Sequence, residues 1–423
     1  MIKEASQFNI NLFKKKALHW ASFFDTVSVF NSNGFADPYS KFDWMLMAGA
    51  ANELETSSDT SFINLKSFFQ KHNNQWLSGF LSYDLKNETE NLSSLNSDQL
   101  QFPQLYFFVP KHVLLLKNGQ LEIISTEAED ILTEIEAIKI VPSKAISLQI
   151  QSKISKIEYL EKVNQIKQHI VRGNIYETNF CQEFYAENAA IDPVSVFEEL
   201  NQISPTPFAC YFKANGKHVL SASPERFLAK RNQRLISQPI KGTAPRSNSP
   251  EQDEHQKNLL KNSIKEKAEN VMIVDLVRND LTKSAVPGTV KVEELYGIYS
   301  FQQVHQMIST VSATLDVKVN MVDAIKNTFP PGSMTGAPKL KAMQLIEQFE
   351  ASKRSIYAGS VGYFSPDGDF DFNVVIRTIL YNQVKKYLSF QVGSAITFQS
   401  DALAEYEECL LKASAMLRIL ADH

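Results

Sequence analysis

Cysteine is scarce. Cys181, Cys210 and Cys409 are the only three in 423 residues, and no two form a Cys-x-x-Cys pair. That argues against a disulfide framework or a structural zinc site and suits a reducing cytosol. Long apolar runs are missing as well. No stretch approaches the roughly 18 apolar residues of a membrane span, and residues 1–30 mix polar and aromatic side chains with no apolar core of signal-peptide type. A cytoplasmic chain with no membrane partner is therefore expected. Excess charge is also lacking: 43 basic and 47 acidic residues leave a formal net charge of −4, which gives no electrostatic handle for nucleic acid. No internal repeat points to a solenoid. What is present is a chain 43% hydrophobic and 21% charged, ordinary for a globular protein with a sizeable core. Its length suits two or three domains, or one large mixed fold.

Residues 1–150 read as an irregular, strand-rich region, and residues 151–423 as a more regular one. Trp76 to Tyr83 and Leu105 to Val109 are rich in β-forming residues, and Val113 to Ile124 reads as a hairpin about Asn118-Gly119. Glu129 to Ile138 is expected to be helical, with a connector over Val141 to Gln151. From Ser155 the apolar residues Ile157, Leu160, Val163, Ile166 and Ile170 recur at helical spacing, with Gly173 as the stop. Short strands are predicted at Asn174 to Tyr185, Phe208 to Phe212, Val219 to Ser223, Arg226 to Lys230 and from Val304. Polar Glu251 to Asn262 continues into a helix carrying Glu269. A hairpin about Pro366-Asp367-Gly368 joins Gly359 to Phe364 with Phe372 to Tyr381, and a helix spans Asp401 to Leu420. Strands interleaved with helices indicate an α/β or α+β fold.

Four stretches carry chemistry. Ser237 to Arg246 contains Pro239-Ile240-Lys241-Gly242-Thr243, one amine between proline and glycine. Alone it fits a turn with a solvated lysine as well as a desolvated nucleophile. Downstream lie Ala268-Glu269-Asn270 opening an apolar run, Pro331-Gly332-Ser333-Met334-Thr335-Gly336-Ala337-Pro338, and Val375-Ile376-Arg377-Thr378. In this order, and with Ser223-Pro224-Glu225-Arg226-Phe227, they closely resemble the catalytic half of the chorismate-utilising enzymes, which include anthranilate, aminodeoxychorismate, isochorismate and salicylate synthases. Gly34 to Asp43 and Gly79 to Asp84 extend the resemblance weakly into the first 150 residues. Lysine at position 241 resembles the branch that aminates chorismate at C4, since anthranilate synthases typically carry alanine there. Tyr176-Glu177-Thr178-Asn179-Phe180 occupies a stretch usually read Gln-Val-Asn-Leu, or with lysine in the water-activating branch; Glu177 fits neither.

The resemblance implies an α+β fold of two large, mostly antiparallel sheets packed together, flanked by helices, with the site between them. Glu405, Glu408 and Lys412 stand at i, i+3 and i+7 and share one helical face. Read alone they fit a solvated patch; by resemblance Glu269 and Glu408 bind Mg²⁺ with Glu405 close by, bridging to a substrate carboxylate. A glycine-containing loop ahead of a helix offers free N–H groups, so Thr335 and Gly336 are candidate anion contacts, though an ordinary loop-to-helix junction fits equally. Arg377, flanked by Val374, Val375 and Ile376, must be paired or lie at a strand edge. By resemblance it holds a substrate carboxylate, helped by Tyr357, by the Gly393-Ser394-Ala395 backbone and by Lys412. Gly242 and Thr243 would lie beside the ring.

The reaction implied is chorismate plus ammonia to 4-amino-4-deoxychorismate, on the route to p-aminobenzoate and folate. Lys241 would form a covalent adduct at C2, with Glu225 or His305 assisting departure of the C4 hydroxyl. None of the three cysteines lies in a Gly-x-Cys-x-Gly pattern, so ammonia is expected from a separate glutaminase subunit. The alternatives are an anthranilate synthase component I activity and a non-catalytic chorismate-binding protein. Joint presence of Lys241, Glu269, Glu408 and Arg377 argues against the latter.

Overall fold

The computed structural model describes residues 1–141, 146–302 and 304–421. Among the described residues twenty strands hydrogen-bond into one continuous ladder. It has two halves. The first runs from Thr26–Asn31 through Phe208–Ala214, Lys217–Ser223, Thr378–Asn382 and Tyr387–Ile396 to Glu177–Ala186, antiparallel at each step. The second runs from Leu77–Leu81 through Ser360–Phe364, Phe370–Asn373, Arg226–Arg231 and Arg234–Gln238 to Val304–Thr314. That last strand also carries Ile240–Pro245 and Lys291–Ser300. Two 13-residue strands, Trp44–Thr56 and Leu105–Lys117, belong to both halves and pair with each other along their length. A register irregularity between Ala50 and Asn52 breaks that pairing, and such a slip bends and twists a strand. The two facing sheets are thus present, but hydrogen-bonded into one.

The halves close on a shared aromatic core. Phe212 of the first half meets Phe80 of the second at 5.4 Å, nearly perpendicular, and also Tyr106 and Phe108. Edge-to-face contacts of this kind add to the burial of the rings. Helix Ile264–Thr282 seals the second half with Ile273, Val274, Val277 and Leu281. A second core lies on the outer face of the first half, under helices Ile10–Ala21, Lys156–Val171, Pro193–Ile203, Lys339–Phe349 and Ala402–Leu420. Among the described residues no helix is long and apolar enough to cross a membrane. Cys181, Cys210 and Cys409 are free and buried.

Local signals fix the elements. Ser155 and Glu158 form a reciprocal capping box, and Gly173 ends the helix region at φ +77°. Asn118 (φ +50°) and Gly119 (φ +76°) turn the hairpin between Lys117 and Gln120. Two expectations need correction. The helix carrying Glu269 does not continue from the polar segment: Pro250–Asn262 stops, and Ser263 caps a new helix by accepting from Glu266 N–H. The expected strand Phe372 to Tyr381 is two strands serving different halves of the ladder, Phe370–Asn373 and Thr378–Asn382. Arg377 lies in the break with φ +51°. Part of the Val141 to Gln151 connector lies outside the described residues; strand structure resumes at Gln151–Ser152.

Candidate active site

Lys241 sits on Ile240–Pro245, whose pairing with Val304–Thr314 slips between Ile240 and Thr243. The slip falls on Lys241-Gly242, and Gly242 has φ +96°. A side chain there would be strained and would crowd Leu260 and Glu266, its Cβ lying 3.0 Å from Glu266 Oε2. The bulge turns Lys241 inward, with its side chain 10% exposed and Nζ 2.9 Å from Glu177 Oε1. Burial acts to lower its pKa, but Glu177, Glu269 and Glu225 outweigh it and hold the amine above the usual lysine range. The resting group is therefore an ammonium. Thr243, next along the strand, is exposed.

Glu225 lies in the turn between Lys217–Ser223 and Arg226–Arg231 and is 4% exposed. Burial pushes its carboxyl up to about 7, against a hydrogen bond from Ser333, the charge of Lys241 and the Ile240 backbone. A carboxyl so placed is protonated in about half of the molecules at neutral pH and can give a proton. The other acid candidate is differently placed. His305 is buried with Nδ1 at 2.8 Å from Ser300 Oγ and Nε2 at 3.1 Å from Asp253 Oδ1. Both ring nitrogens have protein partners.

The acidic side of the site comes from two helices. Glu269 is buried on Ile264–Thr282, and its Oε1 has no hydrogen-bond partner. Burial raises its carboxyl to about 7, Lys241 opposing and Glu177 and Glu266 adding to the rise. Glu405 is buried on Ala402–Leu420, one turn before exposed Glu408. Lys265 Nζ stands 3.8 Å from Glu269 Oε1 and 3.9 Å from Glu405 Oε1. Lys412 pairs with Glu408 at 2.6 Å and donates to the Gly393 carbonyl at 2.9 Å. Among the described residues no group of three or more acidic, histidine or cysteine side chains forms a ready cage. An orphaned, buried carboxylate oxygen with further carboxylates nearby nonetheless fits a hard cation that takes few protein ligands and completes its shell with water and substrate oxygens.

Arg377 joins the other wall. Its carbonyl accepts from Ala222 N–H at 3.1 Å, while Val374 N–H donates to the Glu225 carbonyl at 3.0 Å. The guanidinium is half-buried, and burial alone lowers it to about 10. It has no side-chain hydrogen bond or ion pair among the described residues. A half-buried cation without a counter-charge is a candidate anion site. Tyr357 is buried, with Cys181 Sγ 3.8 Å from its hydroxyl. Gly393, Ser394 and Ala395 pair with Cys181, Phe180 and Asn179. A Cβ at Gly393 would meet Cys181 Sγ at 2.4 Å, so glycine there permits close strand approach.

The loop before helix Lys339–Phe349 is closed rather than open. Thr335 Oγ1 donates to the Gly332 carbonyl, the Thr335 carbonyl accepts from Asn179 N–H, and Gly336-Ala337 pair with Thr178-Glu177. Its link to the site is Ser333, through Glu225. Sequence reasoning missed Lys265 and Glu266. Their signal was helical spacing, Lys265 at i, i+4 and Glu266 at i, i+3 from Glu269.

A buried amine beside carboxylates, two acidic helices and an arginine without a side-chain partner among the described residues make up the candidate site. Residues 18–418 match the family described as chorismate binding enzyme, and the chain belongs to that family of enzymes. It is 40% identical over 272 residues to "Aminodeoxychorismate synthase component 1" of Salmonella typhimurium, an alignment covering 64% of this chain and 59% of that protein. To the same-named protein of Klebsiella aerogenes it is 34% identical over 347 residues, 81% of this chain and 76% of the relative. The fold is that of anthranilate synthase component I from Streptococcus pneumoniae, with TM-score 0.78 at 23% identity, covering 90% of this chain and 93% of the other.

Proposed function

We propose that this enzyme converts chorismate and ammonia to 4-amino-4-deoxychorismate. The observation that carries the reading is Lys241: a buried lysine among carboxylates, in a chain similar to proteins named for that reaction. Arg377 holds one substrate carboxylate. Lys241 Nζ bonds to C2 as the C4–O bond breaks and the ring double bonds shift, and Glu225 gives the departing hydroxyl its proton, so that water leaves. Ammonia then bonds to C4 as the C2–N bond breaks, restoring the ring and freeing Lys241. Two displacements explain why an amine stands at this position. His305 instead anchors Asp253 and Ser300, which favours Glu225 as the acid.

Glu269, Glu405 and Glu408 would hold Mg²⁺. When bound, the cation supplies charge that fixes a substrate carboxylate. The three buried, free cysteines suit the cytoplasm. Ammonia comes from a separate glutaminase subunit, and the product serves p-aminobenzoate and folate synthesis. Product identification tests the reading. The parent with Mg²⁺, chorismate and ammonium should yield the 4-amino compound, and glutamine alone should not replace ammonium. Lys241→Ala should lose that product and admit ammonia at C2. Continued formation of the 4-amino compound by Lys241→Ala would remove the lysine from the mechanism.

A further inference from the structure

Lys241 poses a problem for the reaction proposed above, because an ammonium cannot add to C2. Five carboxylates act on it: Glu177, Glu225, Glu266, Glu269 and Glu408. Among the described residues one of them, Glu177, forms an ion pair with Nζ, at 2.9 Å. Glu225 is engaged with Ser333 and the Ile240 backbone, and Glu269, Glu266 and Glu408 lie on the helices of the acidic side.

Glu177 is built to hold still. It is 1% exposed, and its strand is fixed on both sides, by Gly336-Ala337 and by the Tyr387–Ile396 strand. Tyr176 N–H also donates to the Ala337 carbonyl at 2.7 Å. Its carboxylate, by contrast, is lightly held. Oε1 faces Lys241, and Oε2 is buried with no hydrogen-bond partner. A buried acceptor left unpaired is costly, so this carboxylate is kept at a rigid position without the donors that would normally lock it.

We propose that Glu177 is a catalytic base, taking the proton of Lys241 Nζ to release the amine for attack on C2 and returning it when the C2–N bond breaks. The inference rests on the reaction assigned above. The balance is closed. One proton passes from the Lys241 ammonium to the Glu177 carboxylate, and the neutral amine supplies the electron pair for the C2–N bond. The C4 oxygen leaves as water with the proton of Glu225. After ammonia adds at C4, the neutral amine departs from C2 and recovers its proton from Glu177. The proton that ammonia loses on becoming the new amine restores Glu225. The residue that fits neither usual family choice at this position thus has a use specific to a lysine nucleophile.

Glu177→Gln keeps the size and one acceptor but cannot take the proton. With chorismate, Mg²⁺ and ammonium, kcat should fall about 100-fold or more near neutral pH, with the chorismate KM within about threefold. The variant's rate should climb with pH, since solvent must now deprotonate the lysine, and Glu177→Asp should recover part of the loss. Independently of turnover, acetic anhydride labelling of Lys241, read by peptide mass, should reach half-extent at lower pH in Glu177→Gln. An unchanged kcat and pH profile, or an unmoved labelling curve, overturns the proposal. If the parent makes no aminated product, the assigned reaction fails instead, and the labelling curve still reports on the pair.

Discussion

Arg354 and Glu350 form a fully buried two-pronged pair, Nη2 to Oε1 at 2.6 Å and Nε to Oε2 at 2.9 Å. The pair is a junction. Arg354 also donates to the carbonyls of Met334 and Asn179, and Glu350 Oε1 accepts from Cys181 N–H. It therefore fixes the loop bearing Ser333 against the strand bearing Glu177.

Removing one partner should be expensive. Arg354→Met leaves Glu350 charged and buried, and such losses run to about 3–5 kcal/mol. Urea unfolding should show a correspondingly lower midpoint. A change below roughly 1 kcal/mol would mean that the junction is replaceable.

Arg377 should behave in the opposite way. Its guanidinium is desolvated without a counter-charge, so Arg377→Met should not lower the melting temperature of the free protein. It should raise the chorismate KM by about 10- to 100-fold, the worth of a charge-assisted hydrogen-bonded pair of roughly 1.5–3 kcal/mol. Lower stability with an unchanged KM would make Arg377 structural.

The two metal-side glutamates should differ. Glu269 is buried with an orphaned oxygen, whereas Glu408 is exposed and paired with Lys412. Glu269→Gln should weaken the Mg²⁺ dependence of turnover by at least about tenfold, without loss of folding stability. Glu408→Gln should do less. Equal and negligible effects at limiting Mg²⁺ would displace the proposed site.

Glu225 makes stability depend on pH. Its folded value, about 7, lies above the ordinary 4.5. The protonated form is favoured in the fold, so this contribution is full below 4.5 and is lost as pH rises through 7. The difference corresponds to roughly 3 kcal/mol. Glu225→Gln should flatten the stability curve across that window. Part of the slope should persist, because Glu269 is raised in the same direction. An unchanged slope would show that Glu225 does not titrate there.

Local rules make most elements legible in the sequence alone. The helix from Ser155 to its stop at Gly173, the Asn118-Gly119 turn and the helix after Asp401 are written in neighbouring residues. The site's residue types were legible for the same reason, as short ordered motifs. Pairings across the chain were not. Nothing near Val374 to Arg377 announces that the strand ends there, because the break serves two different neighbours, Arg226–Arg231 and Lys217–Ser223. The protonation of Lys241 was equally hidden, since its decisive partner Glu177 arrives from another strand.

The shared ladder also bears on how the chain reaches this state. Leu77–Leu81 pairs with Ser360–Phe364, and Ser82 donates to the carbonyl of Ser355, 273 residues away. This early strand has a near neighbour in Leu105–Lys117 on one side, but on the other it must wait until Ser360–Phe364 has been made. Pairings so distant make folding slow, and meanwhile the waiting strand presents an open edge to other chains. Phe80 on that strand, which meets Phe212 across the two halves, therefore sits beside an edge that can close only after the ribosome has made Ser360–Phe364.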